Sequence, residues 1–161
     1  MQRITMAAAA ACAALALTTP AQAAGDYVAI VQETDIAVPA ETAWAKVKGY
    51  CDIGAWLKTT CEITSGKDGE LGAVRTIAGR VVEVIVAVTP MSYTYADVDT
   101  KILYHGTVEI RPVDATSSKL VYSLFFDQAS IPEDQREANR TRRAAMFKGV
   151  MATMKAQAEA K

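Results

Sequence analysis

Residues 130–158, SIPEDQREANRTRRAAMFKGVMATMKAQA, decide how the rest of the chain must be arranged. Ser130-Ile131-Pro132-Glu133 has the form of a capping box with proline just inside a helix. Ala144, Phe147, Met151, Met154 and Ala158 then recur at three- and four-residue spacing. The segment reads as one long amphipathic helix, Ile131 to about Ala158, whose apolar stripe needs a surface to lie on. Gly149, in its middle, costs about 1 kcal/mol relative to alanine. Either another group approaches closely there or the position is marginal and tolerates it.

Upstream the period is two. Strand-like runs occur at Tyr27–Ile36, Lys58–Thr64, Ala73–Ala78, Arg80–Val88, Ser92–Asp97, Ile102–Arg111 and Lys119–Phe126. Gly66, Gly69, Gly79, Pro90 and the stretches 97–100 and 114–118 fall between them, as turn residues should. Connections this short make an antiparallel meander, because parallel strands need long crossovers. Only after the first strand does helical spacing intrude. Pro39 suits the first turn of a helix running through Ala43, Trp44 and Val47 to about Tyr50, and a short helical piece follows at Asp52–Trp56. The implied fold class is α+β: a curved sheet of six or seven strands with the long helix packed across it.

The N-terminus speaks of location. Arg3, an apolar run from Met6 to Leu17, the breaker Thr18-Thr19-Pro20 and Ala21-Gln22-Ala23 together form a secretory signal peptide over 1–23. Residues 24–161 are then a single exported domain, periplasmic or secreted. The leader is too short to span a bilayer, and no later stretch is long enough. The whole chain has 17 Lys+Arg and 18 Asp+Glu, and the leader removes Arg3 alone, so the mature net charge is −2. Without a basic stripe, nucleic acid is not an expected partner.

Cys12 leaves with the leader, so Cys51 and Cys61 remain as the pair. In an oxidising compartment an even count reads as a disulfide, closing a loop whose entropy is worth roughly 2–3 kcal/mol. A thioredoxin-like motif needs two residues between the thiols, and a zinc site needs more ligands than two Cys and the single His105. No metal cluster, glycine-rich phosphate loop or Ser-His-Asp order stands out, so no cofactor is implied.

The order of strand, two short helices, six strands and a long helix resembles the helix-grip arrangement of the polyketide cyclase, START and birch-pollen-allergen superfamily. The residues that carry the likeness are Val38-Pro39-Ala40-Glu41-Thr42-Ala43-Trp44, Trp56-Leu57, Gly72-Ala73-Val74-Arg75, Tyr93-Thr94-Tyr95 and Tyr104-His105-Gly106-Thr107. The resemblance implies a sheet curled around the helix, with an apolar cavity between them for a lipid, polyketide or isoprenoid-like molecule.

Alternation then nominates the lining. With Glu109 and Arg111 outward, Tyr104, Gly106, Val108 and Ile110 point inward; with Lys119 outward, Leu120, Tyr122, Leu124 and Phe126 do the same. Tyr93 and Tyr95 share a face, and Phe147 and Met151 approach from the helix. The strand Arg80–Val88 is ambiguous. Its valines Val82, Val84, Val86 and Val88 would put Glu83 outside, whereas the resemblance to plant abscisic-acid receptors implies a glutamate turned inward. The same resemblance sets Lys58 where a ligand carboxylate would be met, able to pair with Glu83; otherwise it is a solvent-facing residue. The connection Ile77-Ala78-Gly79-Arg80 is too short for the receptors' gate, and no latch motif surrounds His105, which alternation turns outward.

Three functions fit. The first is an exported carrier of a small hydrophobic or amphipathic molecule, with Lys58, Glu83, Tyr93, Tyr95, Tyr104, Tyr122, Phe126, Phe147 and Met151 as its ligand-binding set. The second is a cyclase or lyase moving protons with cavity Lys, Glu and Tyr groups. The third is an interaction module or homodimer, using an exposed apolar face that includes Phe125.

Overall fold

A computed structural model describes residues 25–161, so the expected leader lies outside the described residues. The elements run β1 (Tyr27–Ile36), α1 (Ala40–Val47), a 3-10 turn (Tyr50–Asp52), α2 (Ile53–Leu57), β2 (Cys61–Ser65), β3 (Val74–Ile77), β4 (Val81–Thr89), β5 (Ser92–Asp97), β6 (His105–Pro112), β7 (Ser118–Asp127) and α3 (Glu133–Glu159). All seven strands join one antiparallel sheet in the order β1-β7-β6-β5-β4-β3-β2. From β2 to β7 this is the expected meander. The first strand instead crosses to the far end and pairs with the last, from Tyr27↔Asp127 to Ile36↔Ser118.

α3 lies on the inner face of the curved sheet. Val108, Ile110, Leu120, Tyr122, Leu124 and Phe126 meet Phe147, Val150, Met151, Met154 and Ala158, all buried. Val150 joins the anticipated stripe because a helix facing a curved sheet buries a band wider than one row of side chains. The end of the helix is tied down by polar bonds. Trp56 Nε1 donates to Gln157 Oε1 at 2.7 Å, while Gln157 Nε2 donates to the Lys46 carbonyl at 2.5 Å.

Several boundaries differ from the sequence expectation, each for a local reason. The capping box does not form: α3 begins at Glu133 with Pro132 as its N-cap and no side-chain cap. Ile131 N–H donates to the Gln128 carbonyl, so Ser130 is spent in a turn before the helix. Pro39 likewise caps α1 from outside rather than sitting in its first turn. The strand expected from Lys58 starts only at Cys61, because Lys58 ends α2 in the left-handed region at φ 54°, ψ 48°. Leu103, at φ 48°, delays β6 to His105 in the same way.

Gly149 is exposed, and a Cβ added there would meet nothing within 4 Å, so it is a tolerated position and not a contact. Cys51 and Cys61 form the expected disulfide, with Cα atoms 5.4 Å apart, joining the 3-10 turn to the first residue of β2. Among the described residues no helix is long and apolar enough to cross a membrane.

Candidate functional site

β4 carries the feature that resolves its ambiguous pattern. Its register against β5 shifts between Ile85 and Ala87, a bulge that leaves Val86 exposed and unpaired. Before the bulge Glu83 and Ile85 face inward and are buried. Beyond it Val88 stands opposite the inward Tyr93. The evenly alternating valines Val82, Val84, Val86 and Val88 thus contain a change of face that alternation alone does not reveal.

Glu83 is therefore inside, but its partner is Arg75, not Lys58. The two residues are directly opposite on β3 and β4, and both are almost wholly buried, at 1% exposure for Arg75 and 4% for Glu83. Arg75 Nε donates to Glu83 Oε2 at 2.7 Å, a terminal nitrogen lies 2.5 Å from the same oxygen, and the other donates to the Tyr50 carbonyl. The guanidinium is also held between rings, 4.0 Å from the Tyr50 centroid and 4.7 Å from that of Tyr95. Burial pushes the Glu83 carboxyl above its usual range, and the adjacent Arg75 charge opposes that rise. Lys58 is exposed, because a left-handed helix end turns the chain outward before the strand begins.

Around this pair stands a cluster of tyrosines. Tyr50, Tyr93, Tyr95 and Tyr122 are at most 2% exposed, and Tyr104 is 7% exposed. The Tyr95 and Tyr122 hydroxyls hydrogen-bond at 2.8 Å. The Tyr50 and Tyr93 hydroxyls are buried without any partner among the described residues. Burial pushes the Tyr93 hydroxyl up to about 12 and raises those of Tyr50, Tyr95, Tyr104 and Tyr122 as well. At neutral pH all five are protonated and able to donate.

Of these tyrosines, Tyr104 borders a cleft of about 240 Å³ between α3 and the turns that end α2, β3 and β5. Leu57, Ile77, Val81, Ile102, Met146 and Phe147 make its apolar wall, and Glu83, Asp97, Thr100, Tyr104 and Arg143 its polar one. Lys58, Ala78 and Leu103, the non-glycine residues with positive φ, each adjoin a wall residue, so tight left-handed turns shape the rim. Two larger hollows lie elsewhere. One of about 380 Å³ is walled by Trp44, Asp52, Asp68, Glu70 and Tyr93, and one of about 410 Å³ by Gln32, Lys148, Met151 and Lys155. Each touches one residue of the anticipated set, whereas the cleft holds Glu83, Tyr104 and Phe147 together.

Tyr93, Tyr95, Tyr104, Tyr122, Phe126, Phe147 and Met151 all lie in the core. Sequence reasoning passed over Tyr50, Arg75 and Arg143. A signal existed for the last two. Ala73, Arg75 and Ile77 alternate and are all buried, and Arg143 precedes Phe147 by one helical turn. His105 faces outward as expected, its ring 6.2 Å from exposed Phe125, which stacks on Tyr27 at 5.2 Å.

Comparison with known proteins places this geometry among relatives. The model of a family described as "Polyketide cyclase / dehydrase and lipid transport" matches residues 27–159. No curated protein matches the chain. Among solved structures it is similar to a START superfamily protein from Mycobacterium smegmatis, with 11% identity, TM-score 0.60, and 76% of this chain and 93% of that one covered. It is similar also to truncated norcoclaurine synthase from Thalictrum flavum, with 16% identity, TM-score 0.60, and coverage of 80% and 94%. A solution structure from Thermobifida fusca matches with 20% identity, TM-score 0.63, and coverage of 77% and 85%. At these identities the likeness shows the helix-grip fold and nothing finer.

Proposed function

We propose, for a chain that belongs to the polyketide cyclase / dehydrase and lipid transport family, the role of an exported single-domain carrier, residues 24–161, that holds a small hydrophobic or amphipathic molecule between sheet and α3. The observation that carries this reading is the cleft. Its apolar wall of Leu57, Ile77, Val81, Ile102, Met146 and Phe147 closes on Glu83, Tyr104 and Arg143, so an apolar enclosure ends on a few polar groups. A mostly apolar pocket with a few convergent polar groups is the form that small-molecule binding sites take. Export is supported by the leader pattern of residues 1–23 and by the disulfide, which suits an oxidising compartment. Native mass spectrometry of protein purified from its own host, followed by organic extraction, tests the reading. A stoichiometric adduct that extracts into solvent is expected. A bare mass, with no uptake of apolar probes afterwards, would overturn it.

A second reading, a cyclase or lyase, has one observation in its favour. Glu83 engages Arg75 through Oε2 alone and lines the cleft, where a carboxyl raised by burial suits a general base. Conversion of the extracted molecule by wild-type protein, lost in Glu83→Gln, would favour the enzyme over the carrier.

A further inference from the structure

Arg143 is the cation of the cleft that has no acid. Its Nε donates to Asn139 Oδ1 at 2.8 Å, and its terminal nitrogens make no hydrogen bond or ion pair among the described residues. Elsewhere on α3, Arg136 pairs with Asp26, Arg140 with Glu137 and Lys155 with Glu159, while Arg142 and Lys148 are unpaired among the described residues but exposed to solvent, away from the cation–ring contacts that Arg143 makes. Nor does Arg143 dangle in solvent. The guanidinium carbon lies 4.8 Å from the Phe126 ring centroid and 5.3 Å from that of Tyr104, so two rings and Asn139 set its plane at the cleft wall. Of the two acids of the cleft, Glu83 is paired with Arg75, and Asp97 accepts the Asp99 N–H at 3.1 Å in its own turn and makes no ion pair with Arg143.

We infer that the cleft selects amphipathic acids, and that Arg143 receives the ligand's carboxylate while the apolar wall takes its tail. The inference rests on the carrier reading and names its ligand class. A fixed planar fork matches a carboxylate in two parallel hydrogen bonds, which a lone ammonium cannot do. About 240 Å³ is below the ~300–1,000 Å³ of drug-sized sites, so the acid is short-chained or has a single ring.

Calorimetry with octanoate, methyl octanoate and 1-octanol tests this on the mature chain, on Arg143→Gln and on Arg143→Lys. These probes share a tail and differ at the head. Wild type should bind octanoate about tenfold more tightly than the ester or the alcohol, the gain expected from a charge-assisted pair. Arg143→Gln should bring octanoate down to the alcohol, and Arg143→Lys should restore part of the gap. If Arg143→Gln does not fold by circular dichroism, the three probes on wild type decide alone. Equal affinity for all three would overturn the head-group assignment and leave the carrier reading intact. A preference for octanoate that persists in Arg143→Gln would overturn it too. Binding of none of the three would remove both.

Discussion

The ring of Tyr95 occupies the place of the side chain that Gly106 lacks. The two are directly opposite on β5 and β6, and a Cβ built on Gly106 would fall 2.2 Å from a Tyr95 ring carbon. Absence of a side chain on one strand thus lets a tyrosine on the next lie flat across it and reach Tyr122.

Gly106→Ala should therefore displace Tyr95 and break the hydroxyl bond to Tyr122, at a cost of about 1–3 kcal/mol for overpacking. Denaturant unfolding measures the loss. Tyr95→Phe should cost about 1 kcal/mol, the net worth of one hydrogen bond. A combination no worse than Gly106→Ala alone would show that the glycine acts through that ring.

Glu83→Gln leaves Arg75 buried without its counter-charge, and removal of one partner of a buried pair typically costs about 3–5 kcal/mol. Replacing both, as Arg75→Met with Glu83→Gln, should be less damaging than the sum of the single changes. Urea melts of the four proteins in the cycle would measure a coupling of at least 1 kcal/mol; additive losses would mean that the pair is not coupled.

Phe147 is 5% exposed and packs 4.8 Å from the Tyr122 ring centroid while also bordering the cleft. Phe147→Ala should cost about 3 kcal/mol, near the lower end of the core range, because the neighbouring cleft admits water into the space. The same variant should weaken octanol and octanoate alike by calorimetry, since the ring meets the tail and not the head.

Gly149→Ala should stabilise α3 by up to about 1 kcal/mol, because helical backbone entropy is recovered and nothing is struck. Thermal denaturation should register the rise. A fall would mean that the position is contacted after all.

Labelling under denaturing, non-reducing conditions should modify no cysteine in the mature chain, since Cys51 and Cys61 are bonded and Cys12 belongs to the expected leader. Two labelled thiols in exported material would contradict that. Reduction should lower stability by about 2–3 kcal/mol, the loop-entropy value.

The local periods and turn residues of the chain determined its elements. Tyr27–Ile36 and Ser92–Asp97 are strands with the bounds that alternation assigns, and Phe147, Met151 and Met154 face the sheet as their spacing requires. The disulfide followed from cysteine count, and inward Tyr104, Tyr122 and Phe126 from the parity of their charged neighbours. These properties depend on near neighbours in the chain, where composition carries the signal.

Tertiary structure decided who meets whom. Pairing of β1 with β7, from Tyr27↔Asp127 to Ile36↔Ser118, joins the first strand of the chain to the last across the whole domain, and no local pattern encodes it. The β4 bulge sets half-exposed Val88 opposite inward Tyr93, although Val82, Val84, Val86 and Val88 alternate evenly in the sequence, because one inserted residue shifts the face of all that follow. Glu83 found Arg75 from the next strand in place of Lys58, and Arg143 reached the cleft from a helix whose docking angle the sequence does not state. Buried charges accept whichever partner the packing brings within about 3 Å, a distance no spacing rule contains.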